Sequence, residues 1–188
     1  MRVIAGTARS MPLRTPEGMD TRPTTDRIKE TLFNILQFEL AGSIFVDLFS
    51  GSGGIGIEAL SRGARKAYFV ENSSKAISCI EQNLTFTKLR ERGVVLKQEV
   101  SSALTGIAER HLEKEIDIIF MDPPYNKGYE KTVLAVLEKM PYVTDRTLVV
   151  AETSRETDTS WIGEYGFCLT KEKYYKTNKH IFMKRVSI

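Results

Sequence analysis

Phe45-Val46-Asp47-Leu48-Phe49-Ser50-Gly51-Ser52-Gly53-Gly54-Ile55-Gly56 reads as a buried strand, a glycine turn and the start of a helix. An apolar run of strand length stops at a cluster of small residues, and a helical pattern begins directly behind it. Glycines in such a turn accept positive φ and let the backbone approach a bound group closely. The helix start offers free N–H groups and the positive end of its dipole.

The rest of the chain repeats the pattern. Strands are expected at Ile44–Leu48, Lys66–Val70, Val94–Lys97, Ile116–Met121 and Arg146–Ala151, with helices at Gly56–Ser61, Ser74–Thr87, Ser101–Arg110 and Tyr129–Met140. This alternation predicts an α/β fold, a parallel sheet with helices on both faces. Two further β-rich runs, Phe167–Tyr175 and His180–Val186, have no helix between them and are expected to close the sheet as an antiparallel hairpin. The result is a seven-stranded, Rossmann-like sheet rather than the six-stranded dinucleotide-binding pattern.

A chain of 188 residues fits one domain. Residues 1–40 are read as an amino-terminal extension and 41–188 as the core. In the extension, Arg2–Gly6 and Pro12–Thr15 are short extended pieces. Thr24 or Thr25 caps a following helix whose apolar stripe is Ile28, Leu32, Ile35 and Leu36. No apolar run approaches membrane-spanning length and the first ten residues lack a signal-peptide core, so a cytoplasmic protein without membrane contact is expected. Cys79 and Cys168 have no metal-ligand spacing and are expected to be buried free thiols. The net charge is only +3, but residues 1–29 hold six Lys/Arg against three acids, and residues 171–185 six against one. Basic ends around a near-neutral middle suit a protein that grips phosphate.

Gly51, Gly53 and Gly56 match GxGxxG, and Glu71 ends the next strand 20 residues after Gly51, placed to accept from two ribose hydroxyls. That match alone fits either a nicotinamide cofactor or S-adenosylmethionine. Asp47 favours the second, because a carboxylate just ahead of the loop would repel a pyrophosphate but suits a ligand carrying an ammonium and a sulfonium. Glu99, at the end of the third strand, is a candidate acceptor for an adenine amino group.

Ile116–Met121 runs into Asp122-Pro123-Pro124-Tyr125. The prolines fix the backbone and leave nearby carbonyls free as acceptors. An amino group on an aromatic ring is a poor nucleophile, since its lone pair is delocalised. Acceptors at the Asp122 carboxylate and the Pro123 carbonyl would orient its two hydrogens and aim the lone pair at a methyl donor. Asp122, with a reference pKa of about 3.9, is ionised at neutral pH. Tyr125 would stack on the base, a contact worth roughly 1–3 kcal/mol.

With these motifs, Arg2-Val3-Ile4-Ala5-Gly6 and Thr21-Arg22-Pro23-Thr24-Thr25-Asp26-Arg27, the chain resembles the RsmD family over nearly its whole length. These are bacterial methyltransferases that modify guanine N2 in 16S ribosomal RNA. The resemblance implies a class I fold, S-adenosylmethionine as donor, and 16S rRNA, in a small-subunit context, as the partner; a monomer is the default expectation. It assigns Asp47, Phe49, Gly51, Gly53, Glu71, Asn72, Glu99 and Val100 to the cofactor and Asp122, Pro123, Pro124 and Tyr125 to the target base. It places Arg2, Arg9, Arg22, Thr24, Thr25 and Arg27 near the RNA. Ala8-Arg9-Ser10-Met11 is less basic than this stretch of the family, and Glu99 stands where the family pattern has Asp.

Other readings explain less. DNA adenine-N6 methyltransferases share the tetrapeptide but add a target-recognition region, and protein-glutamine methyltransferases begin it with Asn. A non-catalytic RNA-binding module accounts for the basic ends but not for Glu71 and Asp122 together. A dehydrogenase accounts for the glycine loop but not for the tetrapeptide.

Overall fold

The computed structural model describes residues 1–16, 25–125 and 127–186. In chain order the elements are α1 (Asp26–Leu36), β1 (Ile44–Leu48), α2 (Gly54–Ser61), β2 (Lys66–Glu71), α3 (Ser74–Phe86), β3 (Gly93–Lys97), α4 (Val100–Glu109), β4 (Ile118–Met121), α5 (Tyr129–Leu137), β5 (Leu148–Ser154), β6 (Phe167–Tyr174) and β7 (Asn178–Arg185). Short 3-10 turns at Arg90–Arg92 and Ser160–Tyr165 were not expected from the sequence. The strands form one mixed seven-stranded sheet, as expected, and its order is β3-β2-β1-β4-β5-β7-β6. No described helix is long and apolar enough to cross a membrane. The chain groups into two compact units, Met1–Glu99 and Val100–Ile188.

In the first unit β1 pairs parallel with β2, and β2 with β3. Every residue of β1 is buried, as befits a parallel strand without a solvent face. The amino-terminal pieces meet at an Arg2–Pro12 bridge. Thr25 caps α1, its hydroxyl accepting from the Ile28 amide at 3.4 Å. The buried face of α1 is Lys29, Leu32, Phe33 and Leu36, while Ile28 and Ile35 are only half-buried. The expected stripe is therefore turned, and the cause is a charge. Lys29, 1% exposed, donates to the Arg2 carbonyl at 2.5 Å and lies 3.3 Å from the fully buried carboxylate of Glu58 on α2.

In the second unit β4 pairs parallel with β5, and β7 runs antiparallel to both β5 and β6. Glu152 to Ser154 pair with His180 to Asn178, so β5 and β7 both extend past their expected limits. Cys168 corrects an expectation: Cys79 is buried, but Cys168 is exposed. It lies on β6, which ends the strand order and whose residues from Cys168 to Tyr174 are mostly exposed.

Candidate active site

The turn after β1 is left-handed at Phe49 (φ 61°), Gly51 (φ 55°) and Gly53 (φ 77°). Phe49 is not a glycine, and a left-handed residue of that kind costs of order 1–3 kcal/mol. Several hydrogen bonds hold the turn in place. Ser50 Oγ donates to the Asp47 carbonyl at 2.6 Å, the Gly53 amide to the Ser50 carbonyl at 2.7 Å, and Asn83 Nδ2 to the Ser52 carbonyl at 3.0 Å. The glycines do different work. A Cβ on Gly51 would meet nothing within 4 Å, so open space lies above the turn. A Cβ on Gly56 would stand 2.4 Å from the Phe69 ring, so that glycine lets α2 lie close on β2.

Asp47 is 2% exposed, and its Oδ2 accepts from the Gly56 amide at 3.0 Å. Burial raises its pKa to about 7; the Gly56 amide opposes the rise and the Glu71 charge adds to it. Glu71 holds the other side of the turn. Its Oε2 accepts from the Gly51 amide at 2.9 Å, and its Oε1 from the Asn72 and Ser73 amides, both at 2.9 Å. A carboxylate oxygen has room for about two hydrogen bonds, so Oε2, with one, keeps capacity for a hydroxyl. Asn72 Nδ2 in turn donates to Glu99 Oε1 at 3.3 Å. The expected cofactor residues of the first unit thus form two linked sets, Asp47 with Gly56 and Gly51-Glu71-Asn72-Glu99. Gly53 is the N-cap of α2, Phe49 is half-buried, and Val100 opens α4 in the second unit.

These features fit S-adenosylmethionine. Open space faces the glycine turn, the Glu71 carboxylate is fixed beside it with capacity for hydroxyl donors, and the buried Asp47 carboxylate would gain from a neighbouring cation.

Of the residues expected near RNA, Arg2, Arg9, Thr25 and Arg27 are exposed. Arg2 Nε pairs with Asp26 at 2.9 Å, and Thr25 is occupied as a cap. Arg22 and Thr24 lie outside the described residues.

In the second unit Asp122-Pro123-Pro124-Tyr125 follows β4 directly. Asp122 is half-buried, Pro123 buried and Pro124 exposed. Tyr125 is 38% exposed, yet its hydroxyl donates to Glu152 Oε1 at 2.9 Å. Burial pushes the Tyr125 phenol far above its ordinary value, and the charges of Glu152 and Asp122 add to the effect. Glu152, 6% exposed, also receives Asn178 Nδ2 at 2.6 Å and His180 Nε2 at 3.0 Å. Its own burial pushes the carboxyl up, but the hydrogen bonds and charge of His180, with Tyr125 and Asn178, hold it below the usual carboxylate range. The sequence reading missed Glu152, Asn178 and His180. For Glu152 a signal existed: it is a lone acid ending the apolar run Leu148-Val149-Val150-Ala151, as Glu71 ends β2.

The family model for Conserved hypothetical protein 95 matches residues 1–184. The chain belongs to this family, the RsmD family. The ribosomal RNA small subunit methyltransferase D of Haemophilus influenzae is 34% identical over 176 residues, covering 92% of this chain and 88% of that protein. YlbH of Bacillus subtilis is 37% identical over 186 residues, covering 98% and 100%. Among solved structures, the yhhF protein of Escherichia coli superposes with a TM-score of 0.82 at 29% identity, covering 100% of this chain and 99% of the other. Membership of the RsmD family makes the chain a methyltransferase with S-adenosylmethionine as its donor.

Proposed function

We propose that this RsmD-family protein methylates the exocyclic N2 amino group of one guanine in 16S rRNA during small-subunit biogenesis, acting as a monomer in the cytoplasm. The observation that carries the chemistry is Asp122-Pro123-Pro124-Tyr125 at the end of β4, with the Tyr125 hydroxyl tied to Glu152 and its ring exposed. The choice of small-subunit rRNA rests on the relatives' names.

The donor, when bound, supplies an electrophilic methyl group on a sulfonium. Glu71 would accept from its ribose hydroxyls, Asp47 would face its positive charge, and Glu99 with Val100 would serve its adenine end. The target base would leave its stack, at a cost of a few kcal/mol, and Tyr125 would stack on it. The Asp122 carboxylate and the Pro123 carbonyl take the two amino hydrogens. The donor would supply its methyl group to the amino nitrogen, its sulfur keeping the carbon–sulfur electron pair and the nitrogen losing one proton to water. Alignment is the main contribution of the protein.

The decisive experiment maps methylated nucleotides in rRNA from cells lacking the protein. Loss of a single N2-methylguanine, restored by the gene, is expected. Unchanged guanine methylation, or loss of a methyladenine instead, overturns the proposal.

The cofactor assignment of Asp47 makes a second prediction. Its folded pKa of about 7 lies above the ordinary 3.8, so the unliganded protein keeps this proton up to neutral pH. That group therefore contributes a stability that declines as pH rises from the unfolded value through 7. A cationic ligand favours the carboxylate, so binding expels the proton. S-adenosylmethionine affinity should rise with pH, by at most about tenfold per unit, and level off above 7. Titration calorimetry from pH 5.5 to 8 checks this, with Asp47→Asn expected to flatten the profile. A flat profile in the unaltered protein removes Asp47 from the cofactor site.

A further inference from the structure

We propose that Glu152 is a positioning residue for methyl transfer, fixing the Tyr125 ring through its hydroxyl so that the ring face is presented to the target base. The inference rests on the reading of Tyr125 as the base-stacking residue.

Tyr125 is held at one end and open at the other. Its hydroxyl donates to a carboxylate that is 6% exposed, while the residue as a whole remains 38% exposed. A tyrosine on a loop after a strand would otherwise turn about χ1 and sample several rotamers, and each alternative removes the ring from the base. A hydrogen bond to an ionised acceptor is among the stronger single tethers a side chain can make.

The tether works only if Glu152 itself cannot move, and the groups around it see to that. Asn178 Nδ2 donates to the same Oε1 at 2.6 Å, which orients the carboxylate plane. His180 Nε2 lies 3.0 Å from Oε2 and, since a carboxylate oxygen only accepts, is the donor there. The Tyr175 hydroxyl closes the other side of the imidazole, 3.1 Å from Nδ1. Phe120, Tyr175 and Phe182 pack edge-on to the His180 ring at 6.0, 5.0 and 6.5 Å between centroids. His180 is fully buried and lies opposite Glu152 in the β5–β7 register. The phenol of the tetrapeptide is thereby tied to two strands distant in sequence, and its ring inherits their rigidity.

A fold needing only packing at position 152 would be served by an apolar residue, because burying a carboxylate has to be offset by hydrogen bonds. Here three donors are supplied, and one of them belongs to the residue expected to touch substrate.

The test measures transfer of labelled methyl from S-adenosylmethionine to total rRNA from cells lacking the protein, using folded, full-length variants. Tyr125→Phe removes one hydroxyl and keeps the ring. It should lower kcat/KM for RNA about tenfold, with S-adenosylmethionine affinity and Tm nearly unchanged. Glu152→Ala should cause a similar loss, and Glu152→Gln, which keeps an acceptor carbonyl, should recover most of it. In the double variant Tyr125→Phe/Glu152→Ala the losses should not multiply, because both remove the same contact. Activity of Tyr125→Phe equal to that of the unaltered protein overturns the proposal even if Glu152→Ala fails to fold. Losses that multiply to about a hundredfold overturn it as well. The nucleoside carrying the label is read separately: label on adenine refutes the guanine assignment and leaves the test of Glu152 intact. No label at all with the unaltered protein refutes both.

Discussion

Replacing Asp122 with alanine should lower the rate of methyl transfer by about 10²- to 10³-fold, the usual cost of deleting one prepositioned polar partner of a developing charge. The nitrogen turns from a weakly nucleophilic, delocalised amine into a centre bearing positive charge as the methyl arrives. A carboxylate at one of its hydrogens is worth more at that moment than in the ground state, so the loss should appear in kcat rather than in KM. Asp122 is half-buried and stands three residues before the proposed stacking ring. Asp122→Asn keeps a carbonyl acceptor without the charge and should fall between the two extremes. Single-turnover rates report the chemical step, and titration with S-adenosylmethionine shows whether cofactor binding is intact. Full activity of the folded alanine variant would remove Asp122 from the mechanism.

Glu58→Ala should be the most destabilising of the substitutions considered, by about 3–5 kcal/mol, the range for breaking a buried pair by removing one partner. Glu58 is fully buried on α2, and its carboxylate receives the Ile4 amide at 2.8 Å, the Ala5 amide at 3.0 Å and Arg62 Nε at 2.7 Å. Lys29 Nζ stands 3.3 Å away. Burial already lowers the pKa of Lys29, and Glu58 is the main influence that raises it again. Without Glu58 a buried ammonium loses its counter-charge and two backbone N–H groups lose their acceptor. The exposed Arg2–Asp26 pair is a useful contrast, since its side chains are 60% and 42% exposed and such pairs contribute at most about 1 kcal/mol. At roughly 2–4 °C per kcal/mol for a chain of this size, Glu58→Ala should lower Tm by about 6–20 °C. Urea denaturation of Glu58→Ala beside Asp26→Ala checks the ordering. Equal, small effects would mean that Lys29 and the amino-terminal segment find other partners.

Local chemistry made much of this protein legible before any coordinates. β1 coincides with its expected limits, because five consecutive buried residues end abruptly at a glycine turn. The partnership of Gly51 with Glu71 was legible as a spacing, since a strand, a helix and a second strand bring residues 20 apart to neighbouring strand ends. The position of the tetrapeptide was legible because an apolar run of strand length stops at two adjacent prolines, which cannot continue a ladder.

The sequence alone therefore determined the order of elements, the glycine turn and the tetrapeptide that ends β4, all of which depend on residues close together in the chain. Tertiary structure alone decided how partners distant in sequence are paired. The extension of β5 to Ser154 required β7, because Glu152, Thr153 and Ser154 gain ladder partners only there. The turning of α1 toward Lys29 required Glu58 on another helix, because an ammonium enters a core only opposite a counter-charge. Tyr125, read from the sequence as a ring free to stack, proved to be a ring fixed at its hydroxyl. The three groups that fix it, Glu152, Asn178 and His180, meet only when β5 and β7 pair.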